Sequence, residues 1–184
     1  MKKHLLVCLF VFAVTPFALA APPSLTAARE SWLRGNYGEA REMYETLAKD
    51  AKQRSAATIG LSRALESEGE YDKALKVVEA ASKDPSKDAA LLARKAELLY
   101  QRGRWDDAEK TANAAIDINK DHFAARWVRA RIYRDRGDMK KADVECRWFV
   151  RTYTRRDAKD DPIKDAEELV LVGLAGAENA RWNK

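Results

Sequence analysis

The sequence predicts an all-α chain made of repeated pairs of antiparallel helices, and three observations carry that prediction. Gly35, Gly69, Gly103 and Gly137 stand 34 residues apart, and each is followed five residues later by an alanine, Ala40, Ala74, Ala108 and Ala142. A fixed period of this length is the mark of stacked supersecondary units, because one unit cannot bury its apolar face alone. Apolar or small side chains keep the same phase on both sides of each glycine, at helical spacing. No segment alternates apolar and polar over strand length, so no sheet is predicted.

The first twenty residues differ in kind from the rest. Lys2, Lys3 and His4 form a basic start, Leu5 to Val14 an apolar run, and Ala18-Leu19-Ala20 a small-x-small cleavage site. This is the pattern of a signal peptide over residues 1–20. The apolar run is shorter than the roughly 20 residues that span a bilayer, which disfavours a retained anchor. Cys8 does not read as a lipidation site, because Val7 precedes it where a small residue is needed. Beyond the leader one cysteine remains, Cys146, so the exported chain has no internal disulfide to rely on. The spacing predicts Cys146 as a small buried apolar residue of a helix.

Four units follow over 21–156, divided as 21–54, 55–88, 89–122 and 123–156. In each, a first helix (A) ends near the glycine, which tolerates the left-handed backbone that closes a helix. A second helix (B) begins within a few residues. Seven residues before each glycine lies a small side chain, Ala28, Ser62, Ala96 or Ala130, which lets two helices approach closely. Tyr37, Tyr71, Trp105 and Met139, two residues after each glycine, are expected to pack beneath the turn. The segments Asp84–Asp88 and Asn119–His122 are polar and suited to stopping one helix and capping the next.

These residues resemble the tetratricopeptide repeat, whose length of 34 and whose small, Gly, aromatic and Ala positions recur across nearly all of the chain after the leader. The resemblance implies a right-handed α-α superhelix. The chain departs from the family pattern in lacking most of the Trp near the start of helix A, and in carrying the inter-repeat Pro in one unit alone, at Pro85.

After the fourth unit, Arg151 to Pro162 reads as a polar connection, with 157–161 as linker. A helix rich in Leu and Val is predicted from about Pro162, with Asp161 as its cap. Aligning Trp182 with the aromatic after the glycine puts Ala180 in the glycine's place and Gly173 at the small position, so 162–184 is expected to start a fifth unit. The run Leu169-Val170-Leu171-Val172-Gly173-Leu174 is apolar nearly all round, whereas a terminal helix of a repeat array needs a polar outer face. Something is expected to cover it: more of a longer repeat protein, a partner, or a second copy of the chain.

Little in the composition points to catalysis or nucleic acid. The formal charge of +5 comes from 34 Lys and Arg interleaved with 29 Asp and Glu, the balance of solvated helix faces rather than a phosphate-binding stripe. His122 is the one histidine after the leader and is expected to be a cap or surface residue. No CxxC, no His–carboxylate metal spacing and no clustered glycine loop occurs, so no catalytic residue, cofactor or metal is predicted.

A binding surface is easier to place. In the family the A helices line the concave face, and the resemblance points Arg29, Arg63, Glu97 and Arg131 into it, with Arg94, Tyr100, Trp127 and Arg134 nearby. Basic and aromatic side chains suit an acidic or extended peptide. Chaperone-binding relatives clamp a C-terminal carboxylate with basic groups. Ile59 and Ala90 stand where those would be needed, so that function is not carried over. The expectation is an exported scaffold, periplasmic or secreted, that binds a protein or peptide segment during envelope assembly. The alternative is the N-terminal module of a larger protein with an enzymatic domain beyond Lys184.

Overall fold

At each of the four glycines the backbone turns left-handed, with φ of +85° at Gly35, +81° at Gly69, +73° at Gly103 and +77° at Gly137. The amide after each glycine donates back to the carbonyl five residues earlier, as Asn36 does to Ser31 and Arg104 to Leu99, both at 3.0 Å. The glycine amide itself donates to a carbonyl three residues earlier, Trp32 and Tyr100 in the same two turns. This pair of bonds satisfies carbonyls that the helix end would leave bare, and it requires positive φ at its centre.

The computed structural model describes residues 22–82 and 88–182. The expected leader, and Asp84 to Lys87 with Pro85, lie outside those residues. Among the described residues there are helices and no strand. They are α1 (Leu25–Leu33), α2 (Tyr37–Leu47), α3 (Arg54–Ser67), α4 (Tyr71–Ala81), α5 (Ala89–Gln101), α6 (Trp105–Ile118), α7 (Phe123–Asp135), α8 (Met139–Asp157) and α9 (Ala166–Trp182). None is long and apolar enough to cross a membrane. Polar residues start the A helices. Ser24 accepts from the Ala27 amide, Asp88 from those of Ala90 and Leu91, and His122 Nδ1 from that of Ala125. His122 is thus a cap.

Each helix packs on the next in the chain, and α1 also meets α3, α3 meets α5, α5 meets α7 and α7 meets α9. No two B helices among α2, α4, α6 and α8 touch in this way. Contact along one row and separation along the other curve the stack, with the A helices on the inside. The small residues stand where helices close on one another. Ala40, Ala74, Ala108 and Ala142 are fully buried, as are Ala28, Ser62 and Ala96, with Ala130 nearly so. Instead of one continuous seam the core forms three clusters, of which Leu75 packs against both the first and the second. In the third, Phe149 takes edge-on contacts from Phe123, Trp127 and Trp148 at 5.2–6.1 Å between ring centres. Such pairs contribute about 0.5–1.5 kcal/mol each beyond the area they bury.

Several local expectations are corrected. Tyr37, Tyr71 and Met139 are exposed instead of lying beneath the turn, whereas Trp105, likewise the first residue of its B helix, packs against the core. The supposed polar connection from Arg151 is helical as far as Asp157, since Thr152 is buried and Arg155 and Arg156 sit favourably at the helix C-terminus. Asp160, at φ 55°, closes α8 with the same pair of backward bonds as the glycines. The last helix begins at Ala166 rather than Pro162. Its first-turn amide, that of Glu168, donates to Asp165 at 3.0 Å, while Asp161 instead takes the Arg156 guanidinium. Ile163 explains the delay: its side chain is buried in the third cluster, which keeps 161–165 out of the helix. Nor is Gly173 the close-approach position. A Cβ there would meet nothing within 4 Å, whereas Ala175 is fully buried, and the helix runs through Ala180 without closing.

Candidate functional site

On α3 the residues Ala56, Ile59, Gly60 and Arg63 fall on one face, and on α5 Ala90, Ala93, Arg94 and Glu97 repeat the pattern 34 residues later. With Leu25 and Arg29 of α1 they line a cavity of about 470 Å³ on the concave side. The start of α7 and the first turns of α9, including Asp165, Glu167, Glu168 and Leu171, close it. Its floor is aliphatic and alanine-rich, and its rim is charged. Gly60 makes room for the ring of Tyr44, since a Cβ at that position would lie 2.3 Å from it.

The rim is a guanidinium pair on one carboxylate. Arg63 donates from both terminal nitrogens to the two oxygens of Glu167, at 2.9 and 2.8 Å, and Arg29 adds a contact at 3.3 Å. The hydrogen bonds from Arg63 hold the Glu167 carboxyl below its ordinary range, helped by the charges of Arg63 and Arg29. One residue on, burial and the neighbouring Asp165 push the Glu168 carboxyl up. The floor has its own fixed charge: Arg94 is buried and donates to Ser62 at 2.8 Å, to Glu97 at 2.7 Å and to Glu66 at 2.5 Å. Its three partners leave its fork little to offer a ligand.

The eight residues singled out from the sequence therefore divide. Arg29, Arg63, Arg94 and Glu97 are brought together around the cavity. Tyr100, Trp127, Arg131 and Arg134 are not among its lining. Tyr100 is buried and donates its hydroxyl to Asp135, and the Arg131 guanidinium lies 4.2 Å from the centre of its ring. Trp127 packs into the third cluster beside Leu171, Val172 and Trp182, and Arg134 pairs with Asp135 and with Glu178 of α9. Trp127 and Arg134 are met by α9, which lies against α7 and α8, whereas Tyr100 and Arg131 are engaged with each other and with Asp135. Cys146 is buried, and burial pushes its thiol up to about 11, the state of an inert core residue.

Two features had no sequence signal. Glu167 lies beyond the repeats and matches no phase of them. Glu145, on α8, is buried between Arg126, at 3.2 Å, and Arg129. Among the described residues no group of three or more His, Cys, Asp or Glu side chains is placed to hold a metal ion.

The tetratricopeptide-repeat family profile matches residues 32–98 and 67–132. The chain belongs to the tetratricopeptide-repeat family. Solved structures agree on the fold. TTC0263, a thermophilic tetratricopeptide-repeat protein of Thermus thermophilus, superposes with a TM-score of 0.60 at 20% identity, over 82% of this chain and 78% of its own. MamA gives 0.54 at 14% identity, over 85% of this chain and 96% of its own. YrrB, described as having an unusual peptide-binding site, gives 0.50 at 14% identity, over 82% and 84%. No curated protein matches the sequence. Tetratricopeptide-repeat chains are in general interaction scaffolds without catalytic activity of their own, and this fold suggests a protein–protein interaction scaffold.

Proposed function

We propose that this tetratricopeptide-repeat chain is an exported scaffold whose concave face holds a peptide or protein segment, in the periplasm or outside the cell, during envelope assembly. One observation carries the reading of the site: three successive A helices present same-phase residues around one cavity, with an aliphatic floor and with Arg29 and Arg63 together on its charged rim. An extended or helical segment finds there apolar contact for its side chains and charge-assisted donors for an acidic group. The peptide-binding site ascribed to YrrB supports the use of such a fold for this purpose. Export rests on the basic start, apolar run and Ala18-Leu19-Ala20 of the leader.

Affinity capture from envelope extract tests this. Prey held by the wild-type chain should be lost from an Ile59→Glu, Ala90→Glu double variant, which charges the cavity floor. It should be kept by Lys110→Glu on the exposed side of α6. Equal retention by both variants, with unchanged helical content, would remove the groove from the account. A second reading, a module of a larger protein with its chemistry elsewhere, is favoured by the exposed Leu169, Val170 and Leu174 of α9. The complete gene sequence decides it, since a further domain with an acid, base or metal constellation would move the activity there.

A further inference from the structure

The cavity already holds a ligand of a kind. Glu167 sets its carboxylate on Arg63 and Arg29, and Leu171, one helical turn later on α9, lines the same cavity. These two residues stand at i and i+4 on one helix, so a single helical face delivers both the acid and the aliphatic group. The helix is anchored through the buried Ala175 and through Val172 and Trp182 at the third cluster, where Leu171 also packs, and Ile163 before it is buried in the same cluster. Between these anchors the hold on the cavity rim is ionic and open to water. Glu167 and Arg29 are each about half exposed, at 47% and 52% of their side chains, and an exposed ion pair is readily exchanged for another.

Resting on the proposed peptide-binding function, we infer that the first turns of α9 are a resident stand-in for the true partner: a helical peptide presenting Glu or Asp and, four residues later, an aliphatic side chain. Partner and α9 compete for Arg63. The partner's carboxylate replaces that of Glu167, and its aliphatic group enters where Leu171 now lies. Charge supports this choice, because Asp165, Glu167 and Glu168 make the start of α9 acidic where it faces Arg29 and Arg63. An occupant that closes its own site scales the apparent affinity of a rival by the fraction of time the site is open. With two partly exposed ion pairs to break, the reduction amounts to about five- to tenfold.

The test uses the full chain and a fluorescein-labelled peptide of residues 162–172. Binding, followed by anisotropy, should be about five- to tenfold tighter to the Glu167→Gln and Glu167→Arg variants than to wild type. The same peptide carrying Glu167→Gln should bind the variants at least about fivefold more weakly than the parent peptide, and adding Arg63→Glu to either variant should abolish the gain. Equal affinity for wild type and both variants, no binding to any of them, or indifference to the peptide's acid would overturn the proposal. A variant chain that becomes a dimer would overturn it too, by making a second copy the occupant. None of these results touches the capture experiment with Ile59→Glu, Ala90→Glu, so the stand-in can fail while the groove survives.

Discussion

Arg94 donates from Nε to the Ser62 hydroxyl at 2.8 Å, a buried bond joining the A helices of the second and third units. Ser62 occupies the position that is alanine in the other three units, and its hydroxyl also donates to the Ile59 carbonyl at 2.7 Å. The one polar residue at the small position thus has the one buried arginine among the described residues to answer it, and Glu66 and Glu97 complete the neutralisation.

Removing that arginine takes the cation from the half-buried Glu66 and Glu97 and leaves a void beside Ser62. Arg94→Ala should lower stability by about 3 kcal/mol, and Arg94→Lys by about half as much, since lysine keeps the charge but not the planar fork. Urea unfolding followed by circular dichroism checks both values. A loss below about 0.5 kcal/mol for the alanine variant would show that the network is immaterial.

Glu145 faces two guanidinium groups from a buried position on α8. Glu145→Ala should cost about 2–3 kcal/mol, less than for a fully enclosed pair because Arg126 and Arg129 retain some access to water. Glu145→Gln, which keeps an acceptor, should cost less than the alanine change in the same urea assay.

Glycine-to-alanine changes should carry opposite signs along the chain. At Gly103, where φ is +73°, alanine is expected to cost about 1–2 kcal/mol although nothing obstructs its methyl group. At Gly173, within α9 and with open space around it, alanine is expected to stabilise by up to about 1 kcal/mol. Thermal midpoints of the two variants against wild type provide the comparison.

Cys146 should resist alkylation while the chain is folded. Burial holds its thiol up to about 11, so at pH 8 the folded chain carries almost no thiolate there. The unfolded thiol ionises near the usual value of about 8.5. The folded value is the higher one, so this group's stabilising contribution is complete below about pH 8.5 and is lost as pH rises towards the folded value. Mass spectrometry of the peptide containing Cys146, after iodoacetamide at pH 8 with and without urea, checks it; equal labelling in both would refute the burial.

What the sequence made legible follows the period. Gly35, Gly69, Gly103 and Gly137 locate the turns because positive φ favours one residue type, and Ala40, Ala74, Ala108 and Ala142 locate the tight contacts because little else fits. Arg29, Arg63 and Glu97 were placed by their common phase together with the family resemblance, which puts the A helices on the concave face. The period gave no access to α9, whose register is set by the burial of Ile163 and Ala175 in an insertion with no repeat to compare. Covering of Trp127 and the pairing of Arg134 with Glu178 follow from that docking and were hidden with it. The partners of Arg94, and Glu145 itself, escaped for a different reason: a long side chain finds its partner across a helix interface, at separations that the local pattern does not encode.

The central claim is that the A-helix face, with its aliphatic floor and guanidinium rim, is the surface that binds. Hydrogen exchange of the full chain, with and without its captured partner, tests it most directly. The account predicts slowed exchange in α1, α3 and α5, extending to the first turns of α9 or replacing them if they are displaced. Protection confined to α2, α4 and α6, with the A helices unchanged, would contradict it.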